Sequence, residues 1–206
     1  MKKIFLVILL VCLSSCDDLT TAPERSYFNP ERNYHELRGL ELVTVFTGDS
    51  NTYAINNLPG WNMAFTGYMI DDIIAQVPSL KKLHPIVLVV MIGSNDAATG
   101  EDDVTFQTKY TEMVKELQLC CHVLICISIL PTILQGEYAG FQFSNDRVDR
   151  WNGIIETICE SESVTFFNNS CLFRNRPDLF MPDGGVHLNR AGQDLFVKSL
   201  ALLGLL

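Results

Sequence analysis

The run Ile86–Ile92, IVLVVMI, is apolar without interruption and rich in β-branched residues. A strand with one face in water alternates apolar and polar side chains. A run like this one has to be covered on both faces, which is the situation of a central strand in a parallel sheet. The flanking segments agree with that demand. Leu42–Phe46 reads as a first strand and Trp61–Phe65 as a short second one. Val123–Leu130, ended by Pro131, reads as a fourth strand, and Val164–Phe167 as a fifth. Between them lie segments of helical period: Tyr68–Leu80, expected to stop at Pro78 or soon after, then Asp103–Leu119, Asn145–Glu160 and Asn189–Leu203. A loop containing Gly136 and Gly140 separates the fourth strand from the helix after it. Alternation of this kind predicts an α/β protein with a parallel sheet and helices on both faces. Ligands of such sheets bind at the carboxyl ends of the strands.

The chain has 206 residues, 48% hydrophobic and 19% charged. That is enough for one domain with a sizeable core and excludes a disordered chain. The first residues do not belong to that domain. Met1-Lys2-Lys3 precedes the apolar run Ile4–Leu13, which has the length of a signal-peptide core and is too short to span a bilayer. Leu13-Ser14-Ser15-Cys16 then resembles the lipobox of bacterial lipoproteins, in which the cysteine is lipidated; an ordinary cleaved secretory signal is the alternative. The expected organisation is a leader over residues 1–15, a tether over 16–36 carrying Pro23 and Pro30, and a catalytic-size domain over 37–206. The expected location is the exported side of a bacterial membrane, inner or outer, with the lipid on Cys16 as the only membrane attachment.

A formal net charge of −9, with no cluster of Lys or Arg, excludes a nucleic-acid footprint. It also offers nothing to anionic lipid headgroups. Beyond Cys12 and Cys16 there are Cys120, Cys121, Cys126, Cys159 and Cys171. Their pairing stays open, Cys126 reads as a buried small hydrophobe, and no Cys-x-x-Cys spacing suggests zinc.

The strand ends carry the chemistry. Gly48-Asp49-Ser50 follows the first strand, Thr66-Gly67 the second and Gly93-Ser94-Asn95-Asp96 the third; Asp183-Gly184-Gly185-Val186-His187 precedes the last helix. Taken singly, Ser50 could cap a helix, Gly67 could serve a tight turn, Asn95 could build an Asx turn and His187 could be a surface histidine. Taken together on one rim, they match acyl transfer. A serine hydroxyl needs a base, histidine is poised to be one near neutral pH, and the tetrahedral intermediate needs donors aimed at its oxyanion.

These residues resemble the blocks of the SGNH (GDSL-type) hydrolase family over roughly residues 41 to 206. FTGDSN matches the first block, NMAFTGYMIDD the second, GSND the third and DGGVHLNRAG the last. The resemblance implies a flavodoxin-like three-layer α/β/α sandwich with a mostly parallel five-stranded sheet. It also implies hydrolysis of carboxylic esters through an acyl-enzyme, without metal or cofactor. Ser50 is the implied nucleophile and His187 the implied base. The backbone N–H groups of Ser50 and Gly67 and the Asn95 amide are the implied oxyanion hole. Two departures stand out. Ala64 and Tyr68 replace residues that are commonly glycine and aspartate in the second block. The acid usually found three positions before the histidine is replaced by Gly184, with Asp183 one position further away. Either the loop bulges so that Asp183 reaches His187, or a backbone carbonyl orients the ring. Asp49 and Asp96 are expected to brace loops. The implied substrates are small-molecule, glycan or lipid esters, such as carbohydrate O-acetyl groups or lysophospholipids. An inactive binding lipoprotein on the same scaffold is the rival reading. The insert Ile133–Phe143, ILQGEYAGFQF, is either an acyl groove or a packed loop.

Overall fold

The structure is a computed structural model that describes residues 44–138, 140–182 and 184–205. The leader, Cys16, the tether and Asp183 lie outside the described residues. The main sheet consists of β1 (Thr44–Gly48), β2 (Trp61–Asn62), β3 (Val87–Met91), β4 (Val123–Ile127) and, last in the chain, β7 (Thr165–Phe167). Every pairing in it is parallel, and the order is β2-β1-β3-β4-β7. The chain starts inside the sheet, adds one strand to one side and then crosses to the other. This is the flavodoxin-like order, with its switch point between β1 and β3.

Alternation along the strands sorts the core into two layers. Val45, Leu88, Val90 and Cys126 face one cluster, while Phe46, Val89, Met91 and Ile127 face the other. The first cluster is roofed by α2 (Ile70–Leu83), α4 (Asp103–Gln118) and α5 (Asn145–Ser161). Along α4 the buried residues are Phe106, Tyr110, Met113, Val114 and Leu117, the stripe a 3.6-residue period requires. Trp151 of α5 stacks on Phe106 with ring centroids 3.7 Å apart, and its indole N–H donates to Asp103. The second cluster is covered by α6 (Arg190–Ser199), the 3-10 turn Leu200–Leu203 after it, and the segment Phe173–Phe180. No helix among the described residues is long and apolar enough to cross a membrane. The five described cysteines are unpaired with one another, and Cys126 is fully buried.

The elements differ from expectation in several places. The helix α2 runs through Pro78 to Leu83, slightly past the expected end at Leu80. Proline removes one backbone bond, at a cost of about 3 kcal/mol. Continuing the helix buries Leu80 completely and lets Lys81 reach Glu116, which offsets much of it. The last helix ends at Ser199 and tightens into the 3-10 turn. The second strand shrinks to two residues. Within the expected loop after β4, the chain folds an antiparallel hairpin of β5 (Gly136–Tyr138) and β6 (Phe141–Phe143).

Candidate active site

The corner after β1 is set by a close approach. A Cβ on Gly48 would lie 2.1 Å from the carbonyl oxygen of Met91, so only glycine lets the end of β1 pass the end of β3 at this distance. Asp49 then caps the short helix α1 (Ser50–Tyr53), its Oδ1 accepting the Asn51 N–H at 2.9 Å. The cap is therefore Asp49, not Ser50. Ser50 occupies the first helical position, where its own N–H has no acceptor within the helix. Asp49 is wholly buried; burial pushes its carboxyl up, and the Asn51 N–H and Ser94 pull it back.

His187 comes from the opposite end of the chain. Its Nε2 lies 3.0 Å from Ser50 Oγ, across 137 positions of sequence. The loop that carries it is pinned by backbone bonds. The Met181 N–H donates to the His187 carbonyl at 2.8 Å, and Phe180 and Leu188 form an antiparallel bridge. Asn189 caps α6 through its Oδ1, and its Nδ2 donates to the carbonyls of Asp178 and Phe180.

The third strand contributes α3 (Ser94–Thr99), a short helix not anticipated from the sequence. Asn95 at its start donates one amide hydrogen to the Tyr68 carbonyl at 2.8 Å. The planar amide has a second hydrogen to offer. Gly67 sits at φ 82° in the turn between Phe65 and Tyr68, where an added Cβ would meet nothing, so conformation rather than space calls for glycine. The Phe65 N–H donates to the Gly48 carbonyl at 3.1 Å. The Gly67 turn is thus fastened to the Ser50 corner on one side and to Asn95 on the other, although Gly67 itself does not line the pocket described below. Asp96 accepts the Ile70 N–H at 3.2 Å and is buried, which raises its carboxyl to about 6. Its contacts, like those of Asp49, brace the start of a helix.

Gly184 and Gly185 both lie at positive φ, 95° and 70°. Their carbonyls accept the N–H groups of Leu134 and Ile133 at 3.1 and 2.9 Å. The double glycine therefore docks the His187 loop on the stem of the β5–β6 hairpin. A pocket of about 250 Å³ opens between these parts, lined by Ser50, Asn95 and His187 together with apolar residues such as Ala98, Val148 and Phe143. Phe141, Gln142 and Phe143 line it, so the insert is a wall of the site. Ala97 and Ala98 were not singled out from the sequence; the one available signal was two small residues directly after the GSND block. Among the described residues, no group of three His, Cys, Asp or Glu converges as a metal site would.

A family model for GDSL-like lipases and acylhydrolases matches residues 33–195. No functionally curated protein matches the sequence. Several solved structures share the fold. One is a Bacteroides fragilis protein assigned as an acylhydrolase, 16% identical, with a TM-score of 0.65, covering 88% of this chain and 98% of that one. A GDSL-like lipase from Bacteroides thetaiotaomicron, also 16% identical, has a TM-score of 0.62 over 86% of this chain and 97% of its own. An acetylxylan esterase from Geobacillus stearothermophilus, again 16% identical, has a TM-score of 0.59 over 79% and 94%. At such identities the likeness is one of fold, and the family match adds the class of chemistry. The chain belongs to the GDSL-like lipase/acylhydrolase family and, with it, to the carboxylic ester hydrolases.

Proposed function

We propose that this protein cleaves carboxylic esters through an acyl-enzyme on Ser50. The observation that carries the reading is the 3.0 Å contact between Ser50 Oγ and His187 Nε2, within reach for proton transfer. His187 takes the Ser50 proton as Oγ attacks the ester carbonyl. The oxyanion is held by the N–H groups of Ser50 and Gly67 and by the free hydrogen of the Asn95 amide. His187 then protonates the leaving alcohol and activates the water that releases the acid. Asp183 is assigned the role of orienting the His187 ring. The same contact argues against an inactive binding protein, which has no use for a base beside a serine at a pocket mouth. The substrate is an acyl ester such as a carbohydrate O-acetyl group or a lysophospholipid, and the acetylxylan esterase of similar fold is compatible with the first.

Ser50→Ala should lower ester turnover by about 10⁴-fold or more and abolish labelling by a fluorophosphonate probe, with the thermal midpoint retained. Asp183→Asn should still be labelled, but more slowly. Turnover at the wild-type rate by Ser50→Ala would end the reading. The leader supports a second proposal, that the mature chain starts at a lipidated Cys16 on the exported side of the membrane. Intact mass measurement of the membrane fraction should find the lipid; an unmodified N-terminus downstream of Cys16 would refute it.

A further inference from the structure

Three aromatic rings stand in the open beside the Ser50 corner, and the proposed chemistry does not use them. Tyr53 is 54% and Phe65 56% exposed, while Tyr68 is half-buried. None of the three lines the pocket. They form a continuous row, with ring centroids 5.9 Å apart from Tyr53 to Phe65 and 5.4 Å from Phe65 to Tyr68. The row is fastened to the site at each step. Tyr53 closes α1, three positions after Ser50 and so on the same side of that helix. Phe65 is tied by its N–H to the Gly48 carbonyl, and the Tyr68 carbonyl accepts the Asn95 amide. Rings left half in water forgo the gain of burial, and a fixed group of them has the character of a binding surface.

We propose that Tyr53, Phe65 and Tyr68 form a stacking platform for a neutral glycan chain whose acyl ester is presented to Ser50. The ester part rests on the hydrolase reading given above; the platform does not. A pyranose ring has an apolar C–H face and a rim of hydroxyls. Its face suits an aromatic plate, and the steps of the row are about the length of one sugar unit. Other occupants fit less well. Rings in mutual contact leave no gap for an ammonium group, which a cation cage requires. Asp71 and Asp72, exposed at the start of α2 directly after the row, oppose an anionic lipid surface. The rings of Tyr53 and Phe65 offer on the order of 200–300 Å², against roughly 800 Å² per partner in a stable protein interface.

The test is calorimetric binding of β-linked hexasaccharides of xylose, mannose, glucose and N-acetylglucosamine, beside turnover of their acetylated forms and of 4-nitrophenyl acetate. Wild type should bind at least one of the four. Phe65→Ala should weaken that binding about tenfold, the effect of losing one stacked ring. It should also lower kcat/KM for the acetylated chain about tenfold more than for 4-nitrophenyl acetate. Phe65 is exposed, so its removal opens no cavity; Tyr53→Ala repeats the test at a second ring, and Phe65→Tyr should retain wild-type binding. If none of the four sugars binds, or if both alanine variants bind as wild type does, the platform is refuted. It is equally refuted if phosphatidylcholine vesicles bind in its place and Phe65→Ala releases them, which would make the row a membrane surface. Glycan binding lost in Phe65→Ala, by a chain that hydrolyses no ester and takes no fluorophosphonate, would keep the platform and remove the hydrolase reading alone.

Discussion

The two sides of the proposed reacting pair, Ser50 and His187, are held by different means. The Ser50 corner grows directly out of the sheet. Gly48 is still paired with β3, the Asp49 N–H donates to Met91, and the cap on α1 is made two residues away. The His187 loop has no strand beneath it. It is held by backbone bonds to Leu179–Met181 and, through Gly184 and Gly185, to Ile133 and Leu134. A nucleophile must be fixed relative to the fold, and the base must be fixed relative to the nucleophile. The sheet provides the first almost locally. The second depends on segments about fifty residues apart meeting correctly.

That contrast can be broken from either side. Gly48→Ala should have the larger effect, because the new Cβ meets the Met91 carbonyl inside the sheet, where neither backbone can yield. A loss of about 2–5 kcal/mol is expected, read as a fall in the thermal midpoint together with loss of turnover. A midpoint unchanged from wild type would show that the corner is not set by this approach. Gly185→Ala should be milder toward the fold and selective toward activity. Its Cβ would come within 2.4 Å of Ile133 Cβ, at a backbone φ of 70°. Relief of that contact would shift the His187 loop against the hairpin stem and slow turnover about ten- to a hundredfold. Circular dichroism and melting should stay near wild type. Equal loss of stability in both variants would mean that the two sides are held alike.

Much of this was legible in the sequence, for reasons that vary with the element. IVLVVMI announced a central strand because no other environment covers both faces of such a run. The helices α4 and α5 were legible because their helical period is long and uninterrupted. The hairpin was not, because β5 and β6 are short and partly exposed, and the Asn145 clasp that fastens their stem joins residues on either side of the hairpin.

By itself, the sequence determined the sheet, its two apolar faces and the set of residues delivered to its carboxyl edge, because strand and helix periods are local properties of the chain. Only the tertiary structure decided that Ser50 Oγ and His187 Nε2 stand 3.0 Å apart, that Asp49 and not Ser50 is the helix cap, and that the insert after β4 is a wall of the pocket. Those facts rest on contacts between segments far apart in the chain, such as the glycine carbonyls of one loop meeting the N–H groups of another. No local pattern of residue types encodes them, because a backbone carbonyl is the same whichever partner finds it.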